Sequence, residues 1–173
     1  MEAVYYMSQS GRIYTGDMQR GDRKATKEEI FAHFGDPLEN AHAAKIAEIM
    51  DGYRAAFAPV ENAYPAEERE TWPIQLEEAR AVFADPQADA SVAPMLAIMI
   101  EAREKDESLA DFAEIVIRNN ASYRLLAGSL TGQQQRMFSE VNDLAADEDV
   151  TAEDIAAYPV VYVIPESLGY AGI

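Results

Sequence analysis

A long periodic stripe of apolar residues in the C-terminal half constrains the fold more than any other feature of the chain. From Leu109 to Leu144 the stripe advances in steps of three and four residues, which is typical of one face of an α-helix and approaches a heptad repeat. Its positions are Leu109, Phe112, Val116, Asn119, Tyr123, Leu126, Leu130, Gln133, Met137, Val141 and Leu144. The stretch contains no proline and follows a capping signal at Ser108, so we predict one helix over residues 109–146.

Two polar residues interrupt this stripe. Asn119 and Gln133 occupy positions that are otherwise apolar, and a buried amide at such a position fixes the register between packed helices. The stripe fits an antiparallel helix pair inside one chain, a homo-oligomer formed through the long helix, or docking on another protein. The sequence leaves these three arrangements open.

Capping signals and prolines mark four shorter helices before the long one. Thr26 and Glu29 form a capping box at the start of the first helix. Pro59 is expected to end the second helix, and Pro73 either begins the third or lies inside a longer one with a kink. The predicted ranges are 27–34, 37–58, 74–84 and 95–100. One further helical turn is predicted after Thr151.

Short β-prone runs lie near both ends of the chain. Residues 4–7 and 12–15 flank a turn-rich spacer and predict a β-hairpin. Residues 160–164 are mostly β-branched and predict a strand that either pairs with this hairpin or offers a free edge.

The predicted fold class is therefore α+β, mainly α. It consists of a small N-terminal β-hairpin, a helical bundle with one long helix, and a short C-terminal strand. The matching segments are a hairpin region at 1–25, a helical domain at 26–150 and a strand or tail at 151–173.

The charge balance disfavours a nucleic-acid-binding protein. The 14 Lys and Arg residues are outnumbered by 31 Asp and Glu residues, which gives a net charge of −17. A duplex-binding domain gains affinity by releasing counterions through clustered cations. An acidic inhibitor that mimics DNA remains an alternative, but it should carry its acids along one face, whereas these helices mix cations among them.

Membrane insertion is not expected either. The first 20 residues carry charges of both signs and no long apolar run, so no signal peptide is visible. The most apolar window, residues 92–100, is interrupted by Pro94 and is shorter than the about 20 residues that a membrane-spanning helix needs. We expect a cytoplasmic protein.

The sequence predicts no catalytic, cofactor-binding or metal-binding residues, so we do not expect an enzyme or a bound cofactor. There is no cysteine, which removes disulfides, thiolate metal sites and cysteine nucleophiles together. His33 and His42 lie nine residues apart without the spacing of a metal site, and His42 falls on an apolar helix stripe, which favours a structural role. No glycine-rich phosphate loop is present.

One segment and the order of the elements resemble a known family. The segment reads Trp72-Pro73-Ile74-Gln75-Leu76-Glu77-Glu78-Ala79-Arg80, and it follows a tyrosine-rich hairpin with a glycine turn at Gly11. Both features resemble bacteriophage and prophage tail fibre assembly chaperones, which often carry a Trp-Pro-x-Gln-x-x-Glu-Ala segment. The resemblance extends over residues 4–145 and is strongest at 72–80. It implies a protein that helps a tail fibre to fold or trimerise.

Five aromatic residues are the predicted contacts for such a client. They are Tyr5, Tyr6 and Tyr14 of the hairpin, Trp72 of the shared segment, and Tyr162 of the C-terminal strand. Trp72 has a second interpretation as a core anchor, because tryptophan buries a large area wherever it packs. The expected partner is a tail fibre protein. The alternative functions are a structural tail or baseplate component of a phage particle, and the acidic DNA mimic.

Overall fold

The structure, a computed structural model, describes residues 3–85, 87 and 89–165, and the fold class predicted from the sequence is confirmed. The strands are β1 (Tyr5–Met7), β2 (Ile13–Thr15) and β3 (Arg23–Lys24). The helices are α1 (Lys27–Phe34), α2 (Pro37–Ala63), α3 (Ala66–Ala84), α4 (Pro94–Arg103), α5 (Leu109–Ala145) and α6 (Ala152–Ala157), with a 3-10 turn at Ala90–Val92.

The predicted hairpin forms and gains a third strand. β1 lies in the centre and pairs antiparallel with both β2 and β3. Tyr6 lies opposite Tyr14 on one side and opposite Lys24 on the other. β3 has no strand signal in the sequence, because a two-residue strand of charged residues carries no β propensity of its own. The backbone of β1 supplies its hydrogen-bonding partner instead.

Prolines proved to be weaker boundaries than the sequence suggested. The prediction that α2 ends at Pro59 was wrong, because the helix continues to Ala63. Pro59 has no N–H to donate to the helical ladder, but the next residue, Val60, is buried in an apolar cluster that holds the last turn in place. α3 begins at Ala66 and includes Pro73, so the longer of its two predicted arrangements is correct.

The apolar stripe of α5 packs against other parts of the chain. Each of its positions is buried or half-buried. The fully buried members are Phe112, Leu126, Leu130, Met137 and Val141. Packing within one chain therefore accounts for these five buried members, and association through the other positions stays a prediction.

The chain divides into two compact units. The first comprises the described residues of the ranges 1–50 and 136–160, and the second comprises those of the ranges 51–135 and 161–173. The apolar core residues of the first unit are Ile13, Ile49, Met137, Val141 and Ile155. The predicted structural histidine also lies in this unit, where half-buried His42 makes a 2.8 Å hydrogen bond to Asn142.

A buried lysine organises the end of α6 in the first unit. Lys45 is only 5% exposed. Its ammonium group pairs with Glu48 at 2.6 Å and donates to the carbonyl oxygens of Ala156 at 2.9 Å and Tyr158 at 3.0 Å. Carbonyls at the end of a helix have no intrahelical donor and carry partial negative charge, so the cation satisfies groups that the helix leaves unpaired.

The second unit contains two apolar clusters. One is formed by α3, α4 and α5 and contains the buried residues Ala79, Val82, Ala93, Leu96, Phe112 and Ala113. The other gathers aromatic rings around the buried residues Val60, Leu126 and Leu130. The rings include Tyr53, Phe57, Tyr64, Trp72, Tyr123 and Tyr162.

The predicted C-terminal strand is not formed over the described residues 160–164, which is a correction to the sequence analysis. This segment pairs with a side chain instead of a strand. The Gln133 amide donates to the Val163 carbonyl at 2.8 Å and accepts from the Val163 N–H at 2.7 Å. The side-chain amide of Gln133 can serve in this way because it supplies both a donor and an acceptor. Residues 166–173 lie outside the described part.

Candidate functional site

A cleft of about 330 Å³ opens in the second unit between α3, α4 and α5. Its lining is formed by Tyr64, Glu68, Trp72, Gln75, Met99, Arg103, Phe112, Ile115, Val116, Asn119, Asn120, Ser122 and Tyr123. Most of this surface is apolar or aromatic, with a few amide and charged groups among it. That combination is typical of a site that buries an apolar group and orients it through a few hydrogen bonds.

Three aromatic rings form one wall of the cleft. The Trp72 ring stands edge-on to Tyr64 at a centroid distance of 5.4 Å and to Tyr123 at 5.0 Å. Edge-to-face pairs at this distance are favourable contacts that hold each ring in one orientation. Burial, together with the nearby carboxylate of Glu68, raises the pKa of Tyr64. The contacts among these three rings give the wall a defined shape.

The segment that carries the family resemblance builds the cleft. Trp72 and Gln75 line it directly, and the buried Gln75 amide donates to the hydroxyl of Thr71 at 2.7 Å. One turn further along α3, Ala79 is completely buried in the cluster shared with α4 and α5. The start of the segment, with Trp72 and Gln75, therefore lines the cleft. Its end, with Ala79, packs α3 into the core.

Glu78 holds α4 in place beside the cleft. Its two carboxylate oxygens accept hydrogen bonds from the backbone N–H groups of Met95 at 3.2 Å and Leu96 at 3.0 Å. Ala93, the residue that precedes α4, has no side-chain cap of its own. A carboxylate at a helix N-terminus satisfies unpaired N–H groups and interacts favourably with the helix dipole. Glu78 therefore positions the helix that contributes Met99 to the cleft.

Arg103 closes one side of the cleft. Its guanidinium lies over the Phe112 ring at 4.5 Å and 3.3 Å from Glu107. The cation is thereby held against the aromatic surface by a cation–π contact and an ion pair. The flexible arginine side chain becomes a defined part of the lining.

A second depression lies beside the cleft. Its lining is formed by Arg69, Trp72, Pro73, Leu76, Arg80, Asn120, Tyr123 and Arg124. Trp72, Asn120 and Tyr123 belong to both lining sets. The cleft and the depression are therefore adjacent parts of one surface of the second unit.

The predicted client contacts fall into two groups. Trp72 and Tyr162 pack against the same apolar cluster in the second unit. The half-buried ring of Trp72 contacts this cluster, as expected of a core anchor, and it also lines the cleft. Tyr162 places its ring 6.2 Å from Tyr53, and burial raises its pKa. Val161 and Val163 on either side of it are exposed.

The hairpin tyrosines belong to the first unit. Tyr5 packs against Phe34 with ring centroids 5.5 Å apart, and Tyr6 packs against Tyr14 at 5.9 Å. The Tyr14 hydroxyl donates to Asp22 at 2.6 Å, and this hydrogen bond raises the pKa of Tyr14. The half-buried tyrosines of the hairpin therefore already have structural contacts within the first unit.

Several lining residues were missed by the sequence analysis. Met99, Arg103 and Asn120 carry no periodic or motif signal, and they meet only because three helices converge. Asn119 does have a signal in the sequence, as a polar residue in the α5 stripe, but that signal predicts a residue that fixes the register between packed helices. No hydrogen bond joins its side chain to another described residue, so it presents a free amide to the cleft.

The sequence and structure of the chain were compared with those of known proteins, and no relative was found. No protein-family model matches the chain, and no match was found among curated proteins or solved structures.

Within the described ranges, no group of three or more acidic or histidine side chains is placed to hold a metal ion. No helix in that part of the chain has the length and apolar character required to span a membrane.

Proposed function

We propose that this protein is an assembly chaperone that binds an extended segment of a phage tail fibre protein in the cleft of its second unit. The observation that carries the proposal is that the Trp-Pro-x-Gln-x-x-Glu-Ala segment, which resembles the chaperone family, lines this cleft and fixes its neighbouring helix. The function is binding without catalysis, and the place of action is the bacterial cytoplasm, where unassembled fibre chains are made.

The chemistry of the cleft suits a peptide. An apolar client side chain would be buried among Trp72, Tyr123 and Phe112, and full burial of such a side chain stabilises a complex by roughly 1.5–3 kcal/mol. The amides of Gln75, Asn119 and Asn120 offer both donors and acceptors to the client backbone. The net charge of −17 helps to keep a complex with an aggregation-prone fibre chain in solution.

Co-expression with the neighbouring fibre gene tests this proposal. We expect soluble, SDS-resistant fibre trimers only when the chain is present. Trp72→Ala should reduce their yield about tenfold, because it removes the central ring of the aromatic wall. Phe83→Ala is the matched control, since Phe83 is an apolar residue on the same helix that is 70% exposed and outside the cleft lining.

A second variant separates binding from folding. Trp72 also packs against the core, so Ser122→Trp is used to fill the cleft while that packing stays intact, with circular dichroism to check the fold. Loss of trimers with folded Ser122→Trp supports the cleft as the client site. Trimers that form equally well without the chain contradict the proposal, and finding the chain in stoichiometric amounts in purified particles would favour a structural tail component.

A further inference from the structure

Three arginines gather around the depression beside the cleft. Arg69 and Arg80 come from α3, and Arg124 comes from α5. We call these three residues the arginine patch. In a chain with 14 cations and 31 acidic residues, such a local concentration of positive charge runs against the composition as a whole.

These cations are poorly neutralised by the protein itself. Arg69 has one acidic contact, to Glu61 at 3.4 Å, and its Nε atom is buried without a hydrogen-bond partner among the described residues. Arg80 and Arg124 are exposed and form no ion pair with an acidic residue in the described part of the chain. An unpaired guanidinium fork is suited to carboxylate or phosphate oxygens.

The arginine patch and the cleft are continuous through the rings of Trp72 and Tyr123. A segment that buries one apolar side chain in the cleft would bring its neighbouring residues over the arginines. We propose that the arginine patch binds carboxylates of an acidic polypeptide segment, next to the apolar side chain that occupies the cleft. This inference rests on the proposed function, because it assumes that the cleft takes a peptide.

Charge favours a short acidic segment over a nucleic acid. A nucleic acid carries a dense, continuous line of negative charge, which the net charge of −17 repels over the rest of the surface. A peptide with a few carboxylates beside its apolar residue faces chiefly the local field of the arginine patch. The amides that line the cleft also match a peptide backbone.

The single tryptophan of the chain gives a direct measurement, because Trp72 lies in the wall shared by the cleft and the depression. The probes are two blocked peptides of about eight residues that have a central leucine, extended in the manner of strand-like ligands. One peptide carries glutamates on both sides of the leucine, and the other carries glutamines. We expect the glutamate peptide to shift Trp72 emission with about tenfold higher affinity at low salt, and this advantage to shrink as salt rises.

Variants test whether the arginine patch causes the higher affinity for the glutamate peptide. Replacing both exposed members, Arg80→Gln with Arg124→Gln, should abolish the advantage of the glutamate peptide and leave the binding of the glutamine peptide unchanged. The matched control, Arg54→Gln with Arg118→Gln, makes the same change in net charge in the same unit without touching the lining, and it should keep the advantage.

The outcomes distinguish this inference from the proposed function. Equal affinity for the two peptides, with a shift in Trp72 emission, overturns the role of the arginine patch and leaves the cleft as a peptide site. Binding of neither peptide overturns the inference, and the fibre co-expression result then decides the proposed function separately. Tighter binding of a single-stranded oligonucleotide than of the glutamate peptide would overturn the assignment to an acidic polypeptide.

Discussion

Lys45 shows how one residue can complete an element that is distant in sequence. A charged side chain that is 5% exposed would be strongly destabilising without partners. Here one carboxylate and two backbone carbonyls surround the ammonium group. The two carbonyls belong to the end of α6 and the residue that follows it, so the lysine joins α2 to the C-terminal part of the first unit.

The substitution Lys45→Met tests this role. It keeps the length of the side chain but leaves the carbonyls of Ala156 and Tyr158 without their donor, and we expect the free energy of unfolding to fall by about 2 kcal/mol. Urea unfolding followed by circular dichroism measures the change. Lys105→Met, at an exposed lysine, should change stability by less than about 0.5 kcal/mol. A Lys45→Met protein as stable as the original would mean that the cost of burying the charge cancels its contacts.

At the scale of elements, α4 depends on a residue outside itself. The helix begins after Ala93, which cannot cap it, and both oxygens of Glu78 bind N–H groups of its first turn. A short helix is marginal on its own. The position of Met99 in the cleft therefore depends on α3 as well as on the packing of α4.

We predict that Glu78→Ala frays the start of α4. Loss of the two hydrogen bonds should lower the free energy of unfolding by about 1–2 kcal/mol, as for removal of a helix cap. Amide hydrogen exchange at Met95 and Leu96 should accelerate. Glu77→Ala at the neighbouring exposed position is the control, and equal effects of the two variants would show that general charge, not the cap, is responsible.

The segment at residues 160–164 depends in the same way on α5. Gln133 provides the pair of hydrogen bonds that a neighbouring strand would otherwise provide. The half-buried ring of Tyr162 adds apolar contact with the aromatic cluster.

We expect Gln133→Met to release this segment. The substituted side chain has a similar length but neither accepts nor donates in the manner of an amide, so exchange of the Val163 amide proton should become at least about tenfold faster. Gln135→Met, at an exposed position on the same helix, should leave that rate unchanged. If the Val163 amide proton exchanges at the same rate in Gln133→Met as in the original protein, packing alone protects it from exchange.

At the scale of the whole molecule, local signals predicted most of the helical fold. The capping box at Thr26 forms as expected, and the helical turn predicted after Thr151 forms as α6. The apolar stripe of α5 marks the buried and half-buried face of that helix. These features depend on residues that are close in sequence, which is why they are readable from the sequence alone.

The errors share a physical cause, since each depends on residues distant in sequence. Val60 packs into a cluster that carries α2 past Pro59, and Gln133 replaces a strand partner for Val163. The cleft likewise depends in part on residues that are distant in sequence. Trp72 was found through its motif, whereas Arg103 and Met99 reach the cleft only through the tertiary packing of α4.

The burial of Leu126, Leu130, Met137 and Val141 in the α5 stripe also has a kinetic consequence. Two copies of the chain can meet through these residues only after their intramolecular packing has opened. The rate of such an association would be limited by a first-order opening step and would level off as protein concentration rises. Assembly that accelerates in proportion to concentration would instead use a surface that the folded monomer already exposes.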